Sequence, residues 1–301
     1  MKVLVTGVAG QLGFDVVNEL KKRNIEVYAT DRQEEDSVLN KSNWDAYFKL
    51  DISEKDSVDS LVNKIGPDAI IHCAAWTNVD GAESEENKPL VEKANVLGTD
   101  NLVKAAKNNG SKFLYISTDY VFSGEGEKPW EPDETDYNPQ NYYGITKLLG
   151  EKAVSTQISN YFIVRIAWVF GLNGKNFVKT MYNVGKNHDV VKVVNDQIGT
   201  PTFTLDLARL LVDMIESDKY GYYHATNEGG YISWYDFTCE IYKLAGLKTK
   251  VIPVTTEEYG LSIAKRPHNS RLDKSKLVKN GFKPLPDWKD AVKRYLDLIK
   301  E

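Results

Sequence analysis

The stretch KVLVTGVAGQLGFDVVNELKK, residues 2–22, decides the fold of this 301-residue chain. Lys2–Thr6 is a short, β-branched apolar run of the kind that fills the centre of a parallel sheet. After Gly13, apolar residues recur at helical spacing through FDVVNELKKRN. Between the two, Gly7, Gly10 and Gly13 form G-x-x-G-x-x-G where strand hands over to helix. A glycine at the strand end permits the tight turn, a bare Cα lets a diphosphate approach the backbone, and the third glycine lets helix and strand pack closely. The helix N-terminus adds unpaired N–H groups and about half a positive charge. The arrangement predicts a dinucleotide site with Gly7, Gly10, Gln11, Leu12 and Gly13 at its centre.

Outward from this unit, strands and helices alternate. IEVYAT (25–30), FKLDI (48–52), DAIIHCAA (68–75), KFLYIST (112–118) and YFIVRIAW (161–168) read as further strands. Helices are expected around SVDSLVNKIG, over 87–109, and from Tyr142 towards Ser155. This rhythm predicts an α/β fold, a doubly wound parallel (Rossmann) sheet with right-handed crossovers. After residue 168 the regularity loosens, with Gly, Asn and Pro at GLNGKN, DQIGTPT and NEGG. Residues 1–168 are therefore expected to form the dinucleotide-binding domain. Residues 169–301 would form a smaller substrate-binding region, with some segments returning to the sheet.

The second strand leads to Asp31, where a carboxylate can accept hydrogen bonds from the adenosine ribose hydroxyls and favour NAD. The adjacent Arg32 suits the 2′-phosphate of NADP instead. The two signals point in opposite directions, so NADPH and NADH both stand as coenzymes. Asp51 and Ile52, ending the third strand, are placed to flank the adenine; Asp51 equally suits capping the next helix.

Composition narrows the partners. A net charge of -5 and the lack of any Lys/Arg-rich run argue against nucleic acid. The acidic clusters QEED (33–36) and ESEE (83–86) read as solvated faces. No apolar stretch approaches the roughly 18 residues needed to cross a bilayer, and MKVLVTG reaches a glycine before a signal peptide's hydrophobic region could develop. Cys73 and Cys239, far apart in sequence, fit free thiols in a reducing compartment. A cytoplasmic location is expected, with no membrane partner; a homodimer is compatible with the chain.

NYYGITKLLGE (141–151) holds two tyrosines and a lysine. On a helix, residues four apart share a face, so Tyr143, not Tyr142, meets Lys147. YISTDYVFSG (115–124) places Thr118 and Asp119 at the carboxyl end of the fifth strand, where open α/β sheets bind ligands. Polar residues also cap strand ends for structural reasons alone. Together these groups supply what carbonyl reduction requires: a proton for the forming alkoxide from Tyr143, a second hydrogen bond from Thr118, and an ammonium from Lys147. Lowering a tyrosine from about 10 to about 7 takes roughly 4 kcal/mol, which a unit charge at about 4 Å supplies at an effective dielectric of about 20. No Cys/His cluster offers a metal site. His72, His188, His224 and His268 read as structural or solvated.

These motifs resemble those of the extended short-chain dehydrogenase/reductases. GQLG, AAWTNVDGAE (74–83), STDYVF (117–122), YGITKLLGE (143–151), NDQIGTPT (195–202) and RPHNSRLD (266–273) are similar to the dTDP-4-dehydrorhamnose reductases over nearly the whole chain. The resemblance implies NAD(P)H reduction of the C4 ketone of a nucleotide sugar, dTDP-4-dehydro-L-rhamnose, in polysaccharide precursor synthesis. It carries cofactor contacts to Gly10, Gln11, Leu12, Asp31, Asp51, Ile52, Ala75, Trp76 and Thr77, and sugar contacts to Thr118 and Asp119. Trp168 would lie against the apolar face of the 6-deoxysugar, or else close the sixth strand as a core residue. Arg266 would meet the diphosphate, or else form a surface salt bridge. Trp76 stands where the family commonly has His or Tyr, and Gly81 where it has Lys. Some relatives carry Mg2+ at a dimer contact, with no residues assignable to it here. The competing readings are an epimerase or dehydratase on the same scaffold, or a non-catalytic regulatory subunit. Tyr120 stands where dehydratases have a second carboxylate, and the intact Tyr143, Lys147 and Thr118 weigh against the regulatory reading.

Overall fold

The computed structural model describes residues 1–38 and 44–300. Strands β1 (Lys2–Thr6), β2 (Glu26–Asp31), β3 (Ala46–Lys49), β4 (Ala69–His72), β5 (Lys112–Thr118) and β6 (Tyr161–Ile166) occupy the first half. Helices α1 (Gln11–Lys22), α2 (Lys55–Ile65), α3 (Lys88–Glu92), α4 (Gly98–Asn109) and α5 (Tyr142–Gln157) cross between them. The second half adds β7 (Val169–Phe170), β8 (Val190–Val194), β9 (Ile198–Gly199), β10 (Thr202–Phe203), β11 (Gly221–His224), β12 (Ile232–Ser233) and β13 (Lys250–Val254). Its helices are α6 (Phe177–Asn187), α7 (Thr204–Ile215), α8 (Trp234–Ala245), α9 (Thr256–Tyr259), α10 (Ser275–Lys279) and α11 (Trp288–Lys300).

The main sheet has seven strands in the order β11-β6-β5-β4-β1-β2-β3, and every pairing within it is parallel. The predicted doubly wound sheet is therefore present. The order reverses between β1 and β4, and ligand crevices form at such a switch point. Buried apolar residues cover both faces. Leu12, Val16, Val17 and Leu20 of α1 pack with Leu207, Leu210 and Leu211 of α7 on one. Val58, Leu61 and Val62 of α2 pack with Leu102, Val103 and Ala106 of α4 on the other. A third cluster, around Phe170, Phe203, Phe237, Trp288 and Tyr295, belongs to the second half. In α11 the buried residues Trp288, Ala291, Val292, Tyr295 and Leu296 follow the helical stripe.

Three strand expectations shift. The third strand pairs over Ala46–Lys49, so Leu50–Ile52 leave the sheet and turn towards the crevice. The fourth ends at His72, freeing Cys73, Ala74 and Ala75 as a loop. The sixth ends at Ile166 because Trp168 has φ 51°, the left-handed region that a strand cannot continue through and that strains a bulky residue. The helix expected over 87–109 is α3 and α4 joined through a π-helical turn at Lys93–Leu97.

Candidate active site

A cleft of about 680 Å³ opens over the carboxyl ends of the parallel strands. Its floor is the glycine turn. Gly7 has φ +72°, and a Cβ there would stand 2.6 Å from the Ala74 amide nitrogen. At Gly13 a Cβ would meet the Gly7 carbonyl oxygen at 2.2 Å. Only hydrogen side chains let strand, turn and α1 close this tightly. No acidic residue sits in the first turn of α1 to oppose a phosphate. The turn thus has the form a dinucleotide requires.

Asp31, Arg32, Asp51 and Ile52, expected around the adenosine, line the same cleft. Asp31 Oδ2 accepts from the Ala9 amide at 3.0 Å, and Oδ1 from the Gln33 amide at 3.3 Å. This carboxylate therefore braces the glycine turn as well as facing the cleft. Asp51 Oδ1 accepts from the Ser53 amide at 2.9 Å and its hydroxyl at 2.8 Å, a turn-forming pattern ahead of α2. The helix cap expected of Asp51 is not made, since α2 has Glu54 at its N-cap without a side-chain bond; Asp51 forms this turn instead and lines the cleft.

The chain also brings Thr118, Asp119, Tyr143, Lys147 and Trp168 to one wall of the cleft. Helix α5 owes its start to Asn141, whose side chain accepts from the Gly144 amide at 2.8 Å. Glu83 accepts from the Tyr142 amide at 2.8 Å. With the N-terminus set, Tyr143 and Lys147 share the cleft face. Tyr142 points out of it: its hydroxyl donates to Glu92 at 2.5 Å, and Lys88 lies 5.2 Å from its ring centre. Tyr143 meets the Tyr120 ring edge-on at 5.7 Å.

The polar groups of this wall are incompletely satisfied. Thr118 Oγ1 donates to Asp119 Oδ1 at 3.0 Å, while Asp119 Oδ2 is buried without a well-formed hydrogen bond. Burial pushes the Asp119 carboxyl up to about 6, against the opposing hydroxyls of Ser270 and Thr118. Burial, then the charge of Asp119, raises the Tyr143 phenol above its ordinary value, with the Thr118 hydroxyl opposing. Lys147 is 3 % exposed, and burial drives it down to about 7 against the pull of Glu151 and Cys73. Its ammonium sits 4.1 Å from the Tyr115 ring centre and has no hydrogen-bond acceptor among the described residues. The lysine expected to lower the tyrosine does not do so in this cleft: burial and the Asp119 charge raise the phenol, and Tyr143 keeps its proton. A reductase's donor must begin protonated, so the shift suits the forward reaction.

Ala75, Trp76 and Thr77 line the cleft after β4. Trp76 is held by Asn95, whose Oδ1 accepts from the Trp76 amide at 2.8 Å and whose amide nitrogen donates to Thr146 Oγ1 at 3.0 Å. Asn95 lies in the π-helical turn, a feature frequent at functional sites, and sequence reasoning missed it; a polar residue inside an otherwise helical stretch was the available signal. It also missed Tyr120, Lys93 and Lys175 in the lining, and Asn173, whose amide donates to the Ala9 carbonyl at 2.8 Å.

Trp168 stacks on Trp234 at 3.7 Å while presenting a face to the cleft. Arg266 lies outside the lining. It donates to Asp80 Oδ2 at 2.6 Å and to the Tyr120 hydroxyl at 3.2 Å, forming a salt bridge at the rim. His72 is buried between the hydroxyls of Thr6 at 2.8 Å and Thr99 at 3.1 Å and is pushed down to about 3 by burial; it is neutral and structural. Buried His224 is likewise held well below its ordinary value, and His188 and His268 are exposed. Cys73 and Cys239 are free thiols. No group of three His, Cys, Asp or Glu among the described residues could hold a metal ion, and no helix is long and apolar enough to cross a membrane.

A doubly wound sheet, a glycine turn at its switch point and a Tyr-x-x-x-Lys helix along the same cleft define an extended short-chain dehydrogenase/reductase. The chain belongs to the dTDP-4-dehydrorhamnose reductase family: the model of the RmlD substrate binding domain matches residues 1–301. It is 38% identical to the dTDP-4-dehydrorhamnose reductase of Aggregatibacter actinomycetemcomitans, over 97% of this chain and 97% of that one. Among solved structures, a dTDP-4-dehydrorhamnose reductase from Clostridium acetobutylicum is 43% identical with a TM-score of 0.91, over 100% of both chains. That from Bacillus anthracis, in complex with NADP, is 37% identical with a TM-score of 0.89, over 100% of this chain and 99% of that one.

Proposed function

We propose that this chain reduces the C4 ketone of dTDP-4-dehydro-L-rhamnose to dTDP-L-rhamnose, a precursor of cell-surface polysaccharide. The observation that carries the reading is the Tyr143 phenol and the Lys147 ammonium on one face of α5, lining the same cleft as the glycine turn. Reduced nicotinamide, when bound, supplies the hydride to the ketone carbon.

The chain's own residues do the rest. The α1 N-terminus and Gly10–Leu12 would hold the coenzyme diphosphate through backbone N–H groups. Lys147 Nζ would donate to the nicotinamide ribose and hold positive charge beside Tyr143. As the carbonyl oxygen gains charge, the Tyr143 hydroxyl transfers its proton to it and Thr118 donates a hydrogen bond. The resulting tyrosinate is stabilised by Lys147 and regains a proton from solvent. Trp168 offers an aromatic face to the C–H side of the sugar, and its strained backbone is held by stacking on Trp234. Residues 169–301 add Val169 and Lys175 to the cleft lining, and Arg266, which holds the Tyr120 hydroxyl, would meet the diphosphate of the sugar nucleotide.

Both coenzymes fit this reading. The Asp31 carboxylate is already engaged by the Ala9 and Gln33 amides, which lessens its repulsion of a 2′-phosphate, and exposed Arg32 stands beside it. The test is oxidation of NADPH and of NADH in the presence of dTDP-4-dehydro-L-rhamnose, against UDP-linked 4-ketosugars. Turnover with the dTDP sugar is expected. Tight retention of NAD with no net oxidation would replace the reading by an epimerase.

A further inference from the structure

Beneath the Tyr143–Lys147 face lies a buried ion pair that the chemistry above does not use. Glu151, one turn beyond Lys147 on α5, is 1 % exposed, and Arg165 on β6 is 0 % exposed. Arg165 donates from Nε to Glu151 Oε1 and from Nη2 to Oε2, each at 2.8 Å. Its remaining N–H groups reach the Pro132 carbonyl at 3.0 Å and the Tyr137 hydroxyl at 2.9 Å. Ser117, the register partner of Arg165 and the residue before Thr118, donates to Glu151 Oε1 at 2.5 Å. One carboxylate thus fastens α5 to both β5 and β6. A buried ion pair adds little net stability over apolar packing of the same volume, so this one calls for another use.

We propose that Glu151 is a positioning residue for the reduction: fixed by Ser117 and Arg165, it ties the strand end carrying Thr118 to the helix carrying Tyr143, and it supplies negative charge to the Lys147 ammonium. The groups facing Lys147 support this. Burial pushes His72 on β4 down to about 3 and the Cys73 thiol after it up to about 12. Tyr115 on β5 and Tyr143 on α5 are raised by burial, and Arg165 stays cationic. Asp119, at about 6, titrates on the acid side. Between pH 7 and 9 Lys147 is the member of this set that changes charge, and Glu151 leads the groups that hold its proton on. Loss of that proton removes the charge that stabilises the tyrosinate, so reduction declines as pH rises above about 7. This rests on the Tyr143–Lys147 reading.

The experiment is the pH profile of kcat/KM for ketosugar reduction in Glu151→Gln. The alkaline limb is expected to move to lower pH by about one unit, a loss of about tenfold at pH 8 with much smaller loss at pH 6. Glu151→Asp restores the limb. Because Glu151→Gln strands the Arg165 charge and risks unfolding, the double variant Glu151→Leu/Arg165→Met removes both charges; its limb is expected to move in the same direction, since the carboxylate that holds the Lys147 proton on is gone. An unmoved limb, or an equal loss at every pH, in a folded variant overturns the proposal. Failure of the wild-type chain to reduce the ketosugar would instead overturn the underlying reading.

Discussion

Lys147 and Arg165 are both almost wholly withdrawn from water, on elements that pack against one another. Around Arg165, a carboxylate, a carbonyl and a phenol accept its N–H groups, and the rings of Phe122, Tyr137 and Tyr222 lie 4.9, 5.2 and 4.8 Å from the guanidinium. Lys147 has one aromatic face and no acceptor among the described residues. Proteins rarely bury polar atoms without partners, and where they do the missing partner is often the ligand. The guanidinium and carboxylate of the ion pair satisfy one another; the cleft wall, with Lys147 and an Asp119 Oδ2 that lacks a well-formed hydrogen bond, leaves polar groups for coenzyme and sugar. Away from the cleft His224 Nδ1, Arg209 Nη2 and the Tyr242 hydroxyl lack a well-formed hydrogen bond too, so such an atom points to chemistry only where it lines the cleft.

Substitutions on the two sides should therefore fail differently. Lys147→Met should lower turnover by about 10³-fold and weaken coenzyme binding, while relieving a buried charge and leaving the melting temperature equal or higher. Loss of folding would erase the contrast. Arg165→Leu should show its main effect in stability, costing about 3–5 kcal/mol in denaturant unfolding because Glu151 is left buried and unpaired. Its residual folded fraction should bind coenzyme normally. Trp168→Ala should raise KM for the sugar about tenfold with a smaller change in kcat, consistent with a lost aromatic face. A loss confined to stability would make Trp168 a core residue. The smallest effect is expected for Arg32→Ala: kcat/KM for NADPH falls several-fold, about 1 kcal/mol, and that for NADH is unchanged.

The saturated region was also the less legible one. The alternation of strands and helices, the glycine turn and the choice of Tyr143 over Tyr142 are local, set by spacings within one element, and the sequence displays them directly. The Glu151–Arg165 bond joins a helix to a strand 14 positions on, and Asn95 reaches Thr146 across 51 positions; in a single sequence each is only an isolated polar residue. The bond from Arg266 to Asp80 is hidden for the same reason, since the two lie 186 positions apart. The sixth strand was drawn through Trp168 because apolar pattern alone carries no sign of a positive φ. Residues that line the cleft were legible where strand ends deliver them, and illegible where the loop of Asn173 and Lys175 folds back from the second half.

The proton donor is tested most directly by Tyr143→Phe, assayed for single-turnover reduction of dTDP-4-dehydro-L-rhamnose alongside coenzyme titration. The expected result is coenzyme affinity within a few-fold of wild type and reduction slowed by about 10²–10⁴-fold. Near-full reduction by that variant would mean that another group delivers the proton, and the assignment of the Tyr143–Lys147 face would be wrong.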